Sequence, residues 1–443
     1  MHKRRRSSDA HLPPAPLDFA HPLSVRGAHT GDAALLEAAP PEHALFLWRV
    51  YHRLATWTGG PGAWAALGGG EQARDFEEAV LRHDFGDVAL WAPLSVIATE
   101  LRAPSRADPA TLANASLSVA DWALGRDAGA AALLFAELGA EAWPENPRIA
   151  WVAGKVARAQ AAHREAALWF RRAARVAVWN EDWEAQSTAL NSLGNLHLKT
   201  GDYPEARRQL MAAYRVAARH RMHGRRAKVL HDLFVVAVMT GEYARAERYA
   251  ADACAAYGPG HPHLLRLAFD ISHLWLQQGH FGRVLRVLKA LLPNFDDTER
   301  RLVALSCAAR AAGAVGEPDE HLRYASEAWT IIGAEGGPGK RAGAALEIGL
   351  GALSLSRWDD AKHALDTARA TAVEDGEADT LARVDAALDH LHRYESADAA
   401  PLPSTPRSTR PAEVLSRELV RSLEAGCWNS GEADSQHPAW EET

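Results

Sequence analysis

The sequence is poor in cysteine. Cys254, Cys307 and Cys427 are odd in number and far apart in 443 residues, which fits a reducing, cytoplasmic setting better than a disulfide framework. No run approaches the roughly 18 consecutive apolar residues of a membrane span, and no membrane partner is expected. The first ten residues, MHKRRRSSDA, carry positive charge, but no apolar stretch follows them, which argues against a secretory signal. Lys and Arg number 49 against 56 Asp and Glu, a formal net charge of −7. That balance speaks against a nucleic-acid coat or a cationic membrane binder. Strand-like alternation of β-branched residues is missing too, so the chain reads as all-α. Absent as well are H-E-x-x-H, C-x-x-C and G-x-S-x-G. The nearest phosphate-loop lookalike, GAEGGPGKR at 333–341, has the wrong spacing and no preceding strand, and is read as a loop. No enzyme activity, cofactor or metal is expected: His261 and His263 flank Pro262 in a loop, and His390 and His392 project to different sides of a helix.

What is present is helical periodicity in a chain with 47% hydrophobic residues, enough for a large core. Residues 1–40 are expected to be disordered, and 41–109 to form a helical region. In that region Leu47, Trp48, Tyr51, Leu54 and Ala55 follow i, i+3, i+4 spacing, and Pro93 should kink or end the third helix. A solenoid is expected over 110–395, a linker over 396–410, and a short amphipathic helix with an acidic tail over 411–443. The tail helix carries Val414, Leu415, Leu419 and Leu423 on one stripe.

The helical stretch repeats itself. TGDYPEARRQLMAAYRVA from Thr200 aligns with TGEYARAERYAADACAAY from Thr240, matching Gly201 with Gly241, Tyr203 with Tyr243 and Ala206 with Ala246, forty residues on. The frame recurs downstream at Gly279/Phe281, Gly316/Ala325 and Trp358/Ala361, and upstream at Gly154/Ala166/Phe170. Gly194, Ala206 and Ala213 sit where two helices must approach closely, and a larger side chain there would separate them. These residues resemble the tetratricopeptide repeat (TPR) family over about 110–395, with six or seven hairpins. The resemblance implies a right-handed α-solenoid with an N-terminal helical segment. Spacings of 37–40 exceed the family's 34 and imply longer helices or longer loops; in this the chain is similar to the TPR domains of bacterial peptide-responsive regulators.

In TPR proteins the first helix of each hairpin (helix A) lines the concave groove. With Gly194 at site eight, the resemblance places Asn191, Asn195 and Lys199 along it, and their i, i+4, i+8 spacing puts them on one face. The same frame gives Arg148, Trp151, Lys155 and Arg158 in the preceding hairpin, Lys228 and His231 in the next, and Arg266, Asp270 and His273 after that. Asn donates and accepts at once, as a peptide backbone does, and Lys and Arg suit carboxylates. The expected function is therefore a cytoplasmic, non-enzymatic adaptor or scaffold that binds a protein or peptide, including an acidic C-terminal peptide, in its groove. The tail helix is read first as a cap with a solubilising acidic extension; the alternative is that the tail, with Glu432, Asp434, Trp440, Glu441 and Glu442, docks in its own groove or a second copy's. The alternative is a peptide-responsive, transcription-associated regulator with 41–101 as its effector module. The basic cluster Arg215, Arg219, Arg221, Arg225, Arg226 and Lys228 is read as helix-end electrostatics rather than a nucleic-acid contact.

Overall fold

The computed structural model describes residues 30–67, 70–295, 297–334, 340–395 and 410–426. The expectations for residues 1–29, the linker and the acidic tail beyond Gly426 lie outside these. Every regular element among the described residues is helical. The α-helices are α1 (Thr30–Glu37), α2 (Pro41–Thr58), α3 (Gly70–Arg82), α4 (Val88–Glu100), α5 (Pro109–Leu124), α6 (Gly129–Ala142), α7 (Pro147–Ala159), α8 (His163–Trp179), α9 (Trp183–Lys199), α10 (Tyr203–Arg219) and α11 (His223–Met239). They continue as α12 (Tyr243–Tyr257), α13 (His263–Gln277), α14 (Phe281–Leu291), α15 (Thr298–Val315), α16 (Pro318–Ile332), α17 (Arg341–Ser354), α18 (Trp358–Glu374), α19 (Ala378–Glu395) and α20 (Arg410–Ala425). No described helix is long and apolar enough to cross a membrane.

One turn, used again and again, sets the repeat length. Helices α8, α9, α10 and α11 are each 17 residues long, and three residues join each to the next. The middle one is left-handed: Glu181 at φ 56°, Gly201 at 79° and Arg221 at 56°. The third sends its N–H back to the carbonyl five residues earlier, Asp182 to Ala177 at 2.8 Å, Asp202 to His197 and Met222 to Ala217 at 2.9 Å. This 6→1 bond satisfies a carbonyl that the helix end would otherwise orphan. Asp182 and Asp202 then cap the following helix, accepting from the N–H of Ala185 at 2.9 Å and Glu205 at 3.2 Å. The same backbone bond closes turns at Ala128, Ala162, Glu242, His280, Glu317, Arg357 and Glu377. The long repeat thus comes from longer helices, with turns of minimal length. Tyr203 and Tyr243 do not seal these turns: Tyr203 is half-buried and Tyr243 is 46% exposed. The backbone bond does that work.

Helix A and helix B of a hairpin interlock at a fixed site. A Cβ added at Gly154 would lie 2.6 Å from the Phe170 ring, at Gly194 2.6 Å from Leu210 Cγ, and at Gly349 3.0 Å from Leu365. In each case the large residue stands sixteen positions after the glycine, so a missing side chain on A is filled from B.

The described residues split into two compact units, one up to Asp232 and one from Leu233 on. In the first, α1 to α4 pack onto hairpin α5/α6 and share its core, with Leu47, Val50, Leu54, Leu94, Ile97 and Phe135 buried together. This corrects the expected disorder of residues 1–40 at its end: Thr30–Glu37 is helical and Leu35 is fully buried. Eight residues with two leucines carry too little periodicity to reveal a helix whose stability comes from packing. Helix α4 runs through Pro93 without ending. Hairpins α7/α8 and α9/α10 stack onward.

In the second unit, hairpins α13/α14, α15/α16 and α17/α18 are followed by α19. Helices α15 and α17 approach so closely that a Cβ at Gly313 would stand 2.2 Å from the Gly351 carbonyl oxygen. The amphipathic tail helix α20 packs on α12, α13 and α14. Its buried stripe is Ala412, Leu415, Leu419 and Leu423, while Val414 is 48% exposed.

Candidate peptide-binding face

Helices α7, α9 and α11 are the A helices of successive hairpins, and the first unit brings their predicted site residues together. Trp151 on α7 donates its indole N–H to Ser192 Oγ on α9 at 2.8 Å. The Lys155 ammonium lies 5.1 Å from the Trp151 ring centre, close enough for a cation–π attraction. Asn191 and Asn195 on α9 both donate Nδ2–H to one carboxylate oxygen of Asp232 on α11, at 2.7 and 3.1 Å. Turning either amide over would set its oxygen against a carboxylate, so charge fixes the orientation. Burial lowers the pKa of Arg158, and the charge of Asp232 acts in the opposite sense. A shallow hollow between α9 and α11 is lined by Ser187, Asn191, Ser192, Arg225 and Lys228.

This geometry differs from the expected display of amides. Asn191 is only 7% exposed, and the Oδ1 atoms of Asn191 and Asn195 are enclosed with no hydrogen-bond partner. The two amides hold Asp232, and through it tie α9 to α11. Lys155 is buried and Arg158 half-buried, whereas Arg148, Lys199 and Lys228 are exposed. His231 is buried at 7% exposure. Asp232 and Ser192 went unnoticed in the sequence, because an acid or a serine on a helix face reads as solvated until its partner, some forty residues away, is known.

Arg266 and His273 belong to the second unit. Arg266 on α13 is exposed. His273 packs edge-on to Phe269, with ring centres 5.0 Å apart, and lies 4.0 Å from Cys307 Sγ. Burial first of all lowers its pKa, while Glu347 and Asp270 oppose that shift. On the A helices of this unit Glu347 of α17 accepts from Arg310 of α15 and Arg383 of α19, both at 2.6 Å. Burial pushes the Cys307 thiol up and that of Cys254 to about 11, so neither is a thiolate near neutral pH. Among the described residues no three His, Cys, Asp or Glu side chains are placed to hold a metal ion. His261 and His263 lie with ring centres 5.5 Å apart.

No protein-family model matches the chain, and no curated protein matches it. Solved structures do. The Rap protein complexed with competence and sporulation factor is 11% identical, aligned over 79% of this chain and 99% of its own, at a TM-score of 0.36. The Rap conjugation gene regulator of the plasmid pLS20, in complex with a Phr peptide, is 12% identical over 80% and 99%, at 0.34. BtubC from P. vanneervenii is 14% identical over 67% and 94%, at 0.33. Superpositions this loose transfer neither a binding mode nor a function to this chain. The assignment rests on the molecule itself: within each unit hairpins of paired helices stack in sequence, one turn recurs, and a glycine-to-large-residue lock holds one site of the hairpin, which is a TPR-like α-solenoid fold.

Proposed function

We propose that the chain is a non-enzymatic, cytoplasmic TPR-like scaffold that binds a peptide on the A-helix face of α7, α9 and α11. The observation that carries this reading is the cross-helix network of Trp151–Ser192 and Asn191/Asn195–Asp232. A merely solvated face has no need to lock three successive helices together through partly buried polar groups, and such locking holds a binding surface in one shape before the ligand arrives. In this reading Asn191, Asn195 and Asp232 set the spacing of the face, and Trp151 offers a half-buried ring. Arg148, Lys199 and Lys228, exposed beside them, meet the ligand, with Lys155 and Arg158 adding positive potential from below. Three exposed cations suit an acidic peptide, a C-terminal carboxylate included. The chain's own last residues, which carry Glu432, Asp434, Glu441 and Glu442 around Trp440, have that chemistry and compete for the face.

A random peptide library selected on the full chain tests this. Acidic peptides should be enriched, and Lys199→Glu combined with Lys228→Glu should abolish their binding. Exposed substitutions move stability by only about 0.5 kcal/mol, so the melting temperature should hold. Truncation after Gly426 should tighten binding at low salt. Selection of peptides without acidic bias, or binding that survives both charge reversals, refutes the reading.

A further inference from the structure

Helix α20 does not continue the stack it follows. After α19 the chain crosses residues 396–409, which include Pro401, Pro403 and Pro406, and α20 then settles on α12, α13 and α14. Fourteen residues at about 3 Å each reach on the order of 40 Å when extended. The contact has the anatomy of a ligand in a receptor groove. Ala412, Leu415, Leu419 and Leu423 are buried at 0–2% exposure, and Ser416 at 0%. One turn from the N-terminus of α20, Glu413 accepts from Arg286 at 2.7 Å and lies 3.6 Å from Arg283. Arg283 is only 4% exposed and also faces Glu247 at 3.7 Å. The Cys254 thiol on α12 is buried here, with Ser422 hydrogen-bonded to it and the charge of Glu418 nearby.

We propose that the surface of α12–α14 is a docking groove for an amphipathic helix bearing an acid in its first turn and apolar residues at two, six and ten positions beyond it, and that α20 of a second copy is an occupant it takes. The sequence that fills the groove within one chain fills it equally well from another, since anchors and ion pairs are identical. A reach of this length lets the helix leave one groove and enter a second, the arrangement of a swapped dimer. Within one chain the tether raises the local concentration of α20, so exchange grows with protein concentration. An empty groove would leave Arg283 and the apolar floor without their cover.

The test uses the full chain and a fluorescent peptide of residues 410–425. The full chain with Leu419→Asp, whose own α20 cannot hold the groove, should bind the peptide at least about tenfold more tightly than the unaltered chain. In that variant Cys254 should be alkylated faster, and added peptide should slow the alkylation again. Buried Cys307 serves as the internal control. A peptide with Glu413→Lys should not bind. Two differently labelled batches of the unaltered chain should show energy transfer on mixing at high concentration, lost on dilution and absent for Leu419→Asp. If Leu419→Asp prevents folding, Glu413→Gln in the full chain replaces it, since it loosens α20 by removing the ion pairs to Arg286 and Arg283 while keeping the shape of the side chain. Failure of either folded variant to bind the peptide, or equal binding of a scrambled peptide, overturns the groove. Peptide binding without energy transfer between chains overturns the second copy as occupant.

Discussion

The two units solve one problem with different chemistry. Each carries a carboxylate on an A helix that gathers donors from neighbouring A helices. In the first unit Asp232 takes two neutral amides, from Asn191 and Asn195. In the second, Glu347 takes two guanidinium groups, from Arg310 and Arg383, and its side chain is only 12% exposed. The repeat supplies the positions and leaves the donor free to vary. Amides leave a net negative charge that nearby cations answer, while two arginines overcompensate their carboxylate. In the function proposed above, the cations beside the amide ladder of the first unit are the ones that meet a charged ligand, whereas the arginines of the second unit are engaged with Glu347.

Breaking helix contact should have the largest effect. Gly313→Leu forces α15 away from the α17 backbone, because the new Cβ would stand 2.2 Å from a carbonyl oxygen that cannot step aside. A loss of about 3 kcal/mol or more is expected in urea unfolding. Gly194→Leu meets the movable Leu210 side chain and should cost less, about 1–3 kcal/mol. Equal effects would show that the two contacts are alike after all.

The carboxylates come next. Glu347→Ala leaves two arginines facing each other and should destabilise by about 3 kcal/mol. Asp232→Asn removes the charge but keeps one acceptor, so about 1–2 kcal/mol is expected. Hydrogen exchange should localise the first loss to residues after 233 and the second to residues before it. If Asp232→Asn costs as much as Glu347→Ala, the neutral and charged ladders are not different devices.

The smallest effect is acid response. His261, His273, His280 and His321 all lie in the second unit, and burial is the leading cause that lowers the pKa of each. The unfolded chain then binds more protons as pH falls through the ordinary value of 6.5, so stability from these groups is full above it and declines below. In the first unit Glu205 is held at about 2, chiefly by its hydrogen bond from Arg208. Its contribution, small because Arg208 is exposed, persists above the usual carboxylate value and fades only toward pH 2. Going from about pH 7.5 to about pH 5.5 should therefore lower protection factors, exchange being taken relative to its intrinsic rate at each pH, in the second unit. A protection pattern that is flat in pH across residues 261–321 contradicts this.

The repeat was legible because its rules are local. Gly194 and Ala206 leave room where helices A and B approach, and Gly201 takes its left-handed turn without strain. The stripe Leu415, Leu419 and Leu423 announced α20, but not where it lands, because any groove of suitable width accepts such a stripe. Asn191, Asn195 and Lys155 were found as face residues, yet their burial was hidden. Nothing in a window of twenty residues says that Asp232 waits on the next A helix. Equally hidden were left-handed turns without glycine: Ala161, Glu181, Arg221 and Ser356 take φ of 55–58°, a strain of about 1 kcal/mol that the fixed backbone bond overrides.

Those turns also set the rules by which such a chain can grow. From Ala161 to Gly241 a left-handed residue recurs every twenty positions, and the turn after an A helix is the same as the turn after a B helix. Gain or loss of forty residues would leave every later helix on its own side. A change of twenty would close the same turns equally well, yet from that point on it would put B-helix sequences where A helices stand, so that each helix met the packing partners of the other kind. Length in this molecule is thus inherited in pairs, and parity is a property on which selection can act.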